Sequence, residues 1–288
     1  MKKIKLLTLL LAVLLIVPFV LAGCNTDKDE TSSADTASVS ETESVADTTS
    51  DESEPEDAFT VPASIKAAGK IIMATNANFP PYEFVDDDGK YAGIDVEIMQ
   101  AIADLWEVEL VIDNMEFSSI LSSIQTGKAD VGVAGMTITQ ERLNSVNFSH
   151  TYATATQVII VKTDSQINGA DDLVGKKVGV QLGTTGDIYA TDDSLIGAVE
   201  RYNNGVDAVL ALTQGKIDAV IIDNEPAKVF LAQTEGIRII DEAYTDEEYA
   251  IAIAKDKTEL RDAINEALII LDENGTLQSI IDKFIKAE

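Results

Sequence analysis

Two turns of the same composition, Gly127-Lys-Ala-Asp130 and Gly215-Lys-Ile-Asp218, each lead into a short apolar run. Upstream of each, Gly69-Lys70 and Gly175-Lys176 also lead into an apolar run and then a polar loop. The same unit is therefore written twice. Within it, strand-like and helix-like segments alternate, which predicts an α/β fold of mainly parallel sheets flanked by helices. In open parallel sheets, ligands bind beyond the carboxyl ends of the strands. Four loops fall there: 76–79 and 134–142 in the first half, 181–186 and 223–226 in the second. Two lobes facing each other would bring these loops around one cleft.

Periodicity places the elements in order. A strand runs over 69–75, followed by a loop at 76–81 carrying an exposed Phe79, and by a turn at 86–89. A helix over 93–105 has Ile94, Ile98, Ala101, Ile102 and Leu105 on one face. A strand covers 108–112. Phe117 opens a short helix carrying Ile120, Leu121 and Ile124 and closed by Gly127. A buried strand follows at 129–133. In the second half, strands are expected at 157–161, 176–180, 217–222, 237–240 and 249–254. Helices are expected at 206–212 and beyond Pro226. Leu260, Ile264, Ala267, Leu268 and Leu271 mark a long helix stopped at Asn274-Gly275, and a last helix runs to about residue 286.

The loop at 134–142, Ala-Gly-Met-Thr-Ile-Thr-Gln-Glu-Arg, holds a local conflict. Thr139 reads as the N-cap of a helix opened by Gln140 and Glu141. Arg142 is then the third helical residue, close to the partial positive charge of the N-terminus. Either the side chain is simply solvated, or a bound anion compensates, held by the guanidinium fork and free backbone N–H groups. Gly135 permits close approach to the backbone, and the Thr137 hydroxyl both donates and accepts. Asp223 offers a charge for an ammonium, or else caps the helix beyond it. The turn at 183–186 offers further backbone N–H donors. Cation and anion recognition in one cleft describes the α-ammonium and α-carboxylate of an amino acid. Phe79 and Phe117 either flank its side chain or belong to the core.

The chain of 288 residues has a formal net charge of −29, so nucleic acid and anionic lipid surfaces are not expected partners. Residues 1–23 read as a targeting segment: Lys2, Lys3 and Lys5 precede an apolar run, which ends at Leu21-Ala22-Gly23-Cys24. This resembles a bacterial lipoprotein signal, which implies a lipid on Cys24 and a domain anchored outside the cell membrane. An uncleaved single span is the other reading of that run. Residues 24–59 are rich in Ser, Thr, Asp and Glu, too polar to offset chain entropy, and are expected to form a disordered tether. A flexible chain of that length spans roughly 30 Å. Cys24 is the single cysteine, so neither a disulfide nor thiol chemistry is expected in the folded part.

Four stretches carry a family resemblance: Phe79-Pro-Pro-Tyr-Glu-Phe84, the segment from Gly93 to Ala103, the loop at 134–142, and Gly175-Lys-Lys-Val-Gly-Val180. In combination the chain, from about residue 65 onward, resembles the polar-amino-acid-binding receptors of ABC importers, with the two-lobed periplasmic-binding-protein fold. The resemblance implies that Arg142 grips the ligand carboxylate, with the Thr137 and Thr185 amides. Asp223, Thr137 and the Gly135 carbonyl, in the loop that starts at Ala134, would take the ammonium. Phe79 and Phe117 would flank the side chain, with Asn76 and Gln181 beside it. Lobe 1 would comprise 60–153 plus 250–288, and lobe 2 154–249, with crossings near 152–156 and 245–249.

Many relatives have an aspartate where Asn76 stands, and in receptors for basic amino acids it meets the side-chain cation. Asn76 and Gln181 are both neutral, so a neutral polar ligand such as glutamine is expected over arginine, lysine or glutamate. Glu83 and Asp187 are the acids that could alter this. The expected partners are that amino acid, an ABC permease, and the membrane through the lipid on Cys24; the protein is expected to be a monomer. A dehydratase on the same fold and an amino-acid-sensing domain are the rival readings. His150 is the lone histidine and falls near a crossing, and no His or Cys cluster has metal-ligand spacing. No cofactor, metal or catalytic residue is therefore expected.

Overall fold

The computed structural model describes residues 60–240 and 243–286. Cys24, the targeting segment and the tether lie outside the described residues. The chain begins with α1 (Ala63–Ala68), β1 (Lys70–Thr75), β2 (Asn78–Phe79), β3 (Glu83–Val85), β4 (Tyr91–Ala92) and α2 (Ile94–Leu105). It continues through β5 (Glu109–Asn114), α3 (Phe117–Gln125), β6 (Val131–Gly132), α4 (Gln140–Leu143) and β7 (Val146–Lys162). Next come β8 (Lys177–Gln181), α5 (Thr185–Asp192), β9 (Ala198–Tyr202), α6 (Gly205–Thr213), β10 (Ala219–Asp223) and α7 (Asn224–Gln233). The chain closes with β11 (Ile237–Ile239), β12 (Thr245–Ala254), α8 (Thr258–Glu273) and α9 (Thr276–Phe284).

The fold is α/β. One nine-stranded sheet runs β5-β1-β6-β12-β7-β10-β8-β9, with β11 also on β7. Its two ends are the repeated unit. At one end β1 lies parallel to both β5 and β6; at the other β8 lies parallel to both β10 and β9. Between them stand β7 and β12, antiparallel and paired along most of their length. β7 has 17 residues, and at roughly 3.3 Å per residue it reaches across both halves. The register between β7 and β12 shifts at Tyr249/Ala250 and again at Ala250/Ala252, irregularities of the kind that let a strand pair bend.

Sequence periodicity located the buried faces of the long helices. Ile94, Ile98 and Ile102 of α2, and Leu260, Ile264, Ala267, Leu268 and Leu271 of α8, are buried. The two C-terminal helices pack on α2 in the first half, where Lys283 Nζ meets Glu97 Oε1 at 2.5 Å and Phe84 meets Phe284 edge to face.

Parts of the fold escaped the sequence reading, α1 among them. β7 extends eleven residues upstream of the expected 157–161, through a polar stretch with no clean alternation, because it is held by pairing to β12. α5 is almost devoid of amphipathic character; it is started by its cap, with the Thr184 hydroxyl accepting from Asp187 N. β9 is a half-exposed edge strand. The small sheet β2-β3-β4 occupies what read as loop. That sheet overturns the exposed placement of Phe79, which is 7% exposed and paired directly opposite Glu83.

Candidate functional site

The loop before α4 forms as its sequence predicts. Thr139 is the N-cap, its hydroxyl accepting from Arg142 N at 3.1 Å, and Arg142 is the third residue of α4. Residues 136–138 run antiparallel to β12, with Ile138 N donating to Glu248 O and Ala250 N donating to Met136 O. Thr137, bridged to Tyr249 between those bonds, turns its own N–H and C=O away from β12. Its carbonyl accepts from Arg142 Nη1 at 2.7 Å, and Arg142 Nη2 donates to Gly183 O at 3.1 Å. The guanidinium also lies 5.4 Å from the centre of the Phe117 ring.

Arg142 is buried, yet no carboxylate of the described residues lies within ion-pair distance. Burial lowers its pKa, and the more distant Glu247 and Asp223 charges oppose that shift. A buried guanidinium with N–H groups to spare is a receptor for an anion.

Asp223 ends β10 and is buried. It stands at the N-cap position of α7 but makes no side-chain cap bond. Its Oδ1 instead accepts a short hydrogen bond from the Tyr249 hydroxyl. Burial first, and then the Glu247 charge, push the Asp223 carboxyl up to about 8. A buried carboxylate that resists ionisation alone is stabilised by an arriving cation.

Gly135 N donates to Asp95 Oδ2 at 2.8 Å, and Gly135 borders the cavity described below. Glycine is required here: φ is +51°, and a Cβ would stand 2.9 Å from Phe79 Cε1 and 3.2 Å from Tyr249 Cε2.

The turn entering α5 is more committed than its sequence suggests. Gly183 N donates to Asp187 Oδ2 and Thr184 N donates to Gln181 O. The amides that remain are those of Thr185 and Gly186 in the first turn of α5. Asp187 is also paired with Arg201 at 2.8 Å, so it does not face the ligand region.

At the far end, Asn76 Nδ2 donates to Met115 O at 2.8 Å, and Asn76 Oδ1 accepts from Gln181 Nε2 at 3.0 Å. Every ligand-site candidate named from the sequence, from Asn76 and Ala134 to Thr185 and Asp223, lines a single cavity of roughly 290 Å³ between the protein atoms. Glu83 and Thr184 join them.

Glu83 had been named only as an acid that could alter the ligand preference. It is fully buried, its carboxyl neighbours that of Asp95, and its oxygens meet no N–H donor among the described residues. Burial, and then the neighbouring Asp95 charge, push its carboxyl well above the usual range. Asp95 itself is pushed up to about 6 by burial.

Glu247, Tyr249 and Gln157 were missed altogether. Period-two alternation was the available signal for the first two: in β12, Glu247 and Tyr249 are buried while Asp246 and Glu248 are not. His150 lies on β7, exposed and away from the cavity.

Residues 71–287 match the family model described as bacterial extracellular solute-binding proteins, family 3. The chain is 34% identical over 224 residues to the arginine-binding extracellular protein ArtP of Bacillus subtilis, covering 76% of this chain and 87% of that protein. Among solved structures, a P235GK mutant of the arginine-binding protein ArgBP from T. maritima is 40% identical, with a TM-score of 0.74. That match covers 77% of this chain and 97% of the other. An ancestral arginine-binding protein bound to glutamine is 38% identical with a TM-score of 0.73, covering 76% of this chain and 99% of the other.

Proposed function

The chain belongs to family 3 of the bacterial extracellular solute-binding proteins, and on that premise we propose that it captures a polar amino acid outside the cell and delivers it to an ABC importer. The observation that carries this reading is that a buried guanidinium, Arg142, and a buried carboxyl, Asp223, line the same cavity without an ion pair between them. The carboxylate of the ligand lies against the Arg142 guanidinium and the Thr137 and Thr185 amides. Its ammonium lies against Asp223, the Thr137 hydroxyl and the Gly135 carbonyl. Lobe 1 is 60–153 with 250–288, lobe 2 is 154–249, and the bend in β7 and β12 is the hinge on which they close. On this reading the ligand is released unchanged to the importer.

The side chain of the ligand ends at Asn76, Gln181 and Glu83. A neutral ligand was expected because these loops showed no carboxylate beside Asn76. Glu83 supplies one. Two buried carboxyl oxygens that meet no N–H donor among the described residues favour a side chain rich in N–H groups, so arginine is proposed before glutamine. The arginine-binding relatives support that order, and the glutamine complex of the ancestral protein supports a neutral amide as the second ligand. Thermal-shift screening against all twenty amino acids and cystine tests the reading, since a ligand that binds only the folded state raises the melting temperature. A screen without any shift, repeated by calorimetry, would remove the receptor assignment.

The proposed location is the outer face of the cell membrane, through a lipid on Cys24 and a tether that spaces the domain from it. Buried acyl chains contribute about 0.8 kcal/mol per CH₂, so that anchor dominates attachment. Metabolic labelling with a fatty acid, lost in Cys24→Ala, tests this; label retained in the variant refutes it.

A further inference from the structure

Thr137 Oγ1 donates to Glu247 Oε2 at 2.8 Å, both groups being buried. A hydroxyl has one proton. With that proton committed to a carboxylate, Thr137 can offer a ligand only its lone pairs. We propose that Glu247 is a positioning residue for ammonium recognition: it fixes the Thr137 hydroxyl as an acceptor, so that the site takes an α-ammonium and rejects the same molecule with a hydroxyl in its place. The inference rests on the amino-acid reading and deepens it.

Three further observations support it. Glu247 does not line the ligand cavity; it stands behind Thr137, so it acts through that residue. The same Oε2 accepts from Gln157 Nε2 at 3.1 Å, and Gln157 Nε2 also reaches Thr185 Oγ1 at 3.4 Å. One carboxylate thus joins the Thr137 loop of the first half to α5 of the second, on the strand that crosses between them. The Tyr189 hydroxyl of α5 also lies within its influence: burial, followed by the Glu247 charge, pushes it up to about 12.

The second Glu247 oxygen is buried and meets no N–H donor among the described residues. Burying a carboxyl oxygen without a donor is costly. A side chain present only to fill space between the strands would not carry that cost.

The test compares L-arginine with argininic acid, and L-glutamine with 2-hydroxyglutaramic acid, where a hydroxyl replaces the α-ammonium. Wild-type protein binds the amino acid more tightly than the hydroxy acid. In Glu247→Gln the carboxamide can donate to Thr137 and free its proton, so the preference falls by about tenfold or more. In a Thr137→Val background the same change has no further effect on the preference, because its intermediary is gone.

Glu247→Asp withdraws the charge from Thr137 by one methylene and serves the same purpose if the glutamine variant does not fold. A preference unchanged within about threefold in a folded Glu247 variant overturns the inference, as does an effect that persists undiminished without the Thr137 hydroxyl. If wild-type protein binds neither amino acid, the receptor reading itself falls.

Discussion

Asn76 and Gln181 are bonded to each other: Gln181 Nε2 donates to Asn76 Oδ1 at 3.0 Å, from one half of the sheet to the other. Each was expected to read the side chain of a ligand. Asn76 Nδ2 is also held by Met115 O, so much of the amide capacity at this end of the cavity is already used. In the proposed reading, selection passes to Glu83, which lines the same cavity and meets no N–H donor among the described residues.

Glu83→Gln should therefore reverse the ligand order. Arginine should weaken by about tenfold or more against glutamine, because a charge-assisted bond is replaced by a neutral one. Competition binding with the two amino acids checks this. The same variant should melt higher than wild type without ligand at pH 8, since a carboxyl whose burial favours its protonated form costs stability as pH rises above the unfolded value. An unchanged arginine-to-glutamine ratio would mean that Glu83 does not meet the side chain.

Arg142→Ala should weaken amino-acid binding by roughly thirtyfold or more, because truncating one partner of a buried charge pair costs about 2–5 kcal/mol. Arg142→Lys should also bind poorly. A lysine ammonium cannot donate in a planar fork while also holding the Thr137 and Gly183 carbonyls. Calorimetry showing either variant within about threefold of wild type would take Arg142 out of the site.

The ligand-free protein should lose stability as pH rises. Asp223 titrates at about 8 in the folded chain and Asp95 at about 6, with Glu83 also raised. Unfolded carboxyls titrate near 4. Between about pH 4 and pH 8 the folded state therefore binds more protons than the unfolded state, and stability falls with each rise in pH. Bound ammonium needs Asp223 ionised, so affinity should change in the opposite sense and weaken below about pH 8, where a proton must first leave. Melting curves and calorimetry from pH 5 to pH 8.5 test both halves. A ligand-free melting temperature that rises with pH over this range would contradict the assignment.

Gly135→Ala should weaken binding without unfolding the protein. The left-handed backbone costs roughly 1–2 kcal/mol for a residue with a Cβ, and the added methyl must displace the Phe79 ring from the cavity wall. Circular dichroism should be retained while affinity drops. Wild-type affinity in the alanine variant would show that Phe79 does not flank the ligand.

Local rules made part of this protein legible in its sequence. Thr139, Gln140 and Glu141 set the start of α4 through a cap, and a cap is a contact among near neighbours, so Arg142 could be placed without a fold. Spacing alone marked the buried faces of α2 and α8. The repeated Gly-Lys-x-Asp turns pointed to two related halves, and the loops that follow their strands all reached one cavity.

Tertiary structure decided the rest, because the remaining facts are pairings between distant segments. The extent of β7 depends on β12, about a hundred residues away. Phe79 is buried because β3 covers it, and that pairing also sets Glu83 on the cavity wall. Asn76 could be seen as polar, yet nothing near it in the chain says that Gln181 would occupy its oxygen. Glu247 sits among three acids, Asp246 to Glu248, that look alike in sequence. Only the strand direction, together with the loop that crosses it at Thr137, turns one of the three inward.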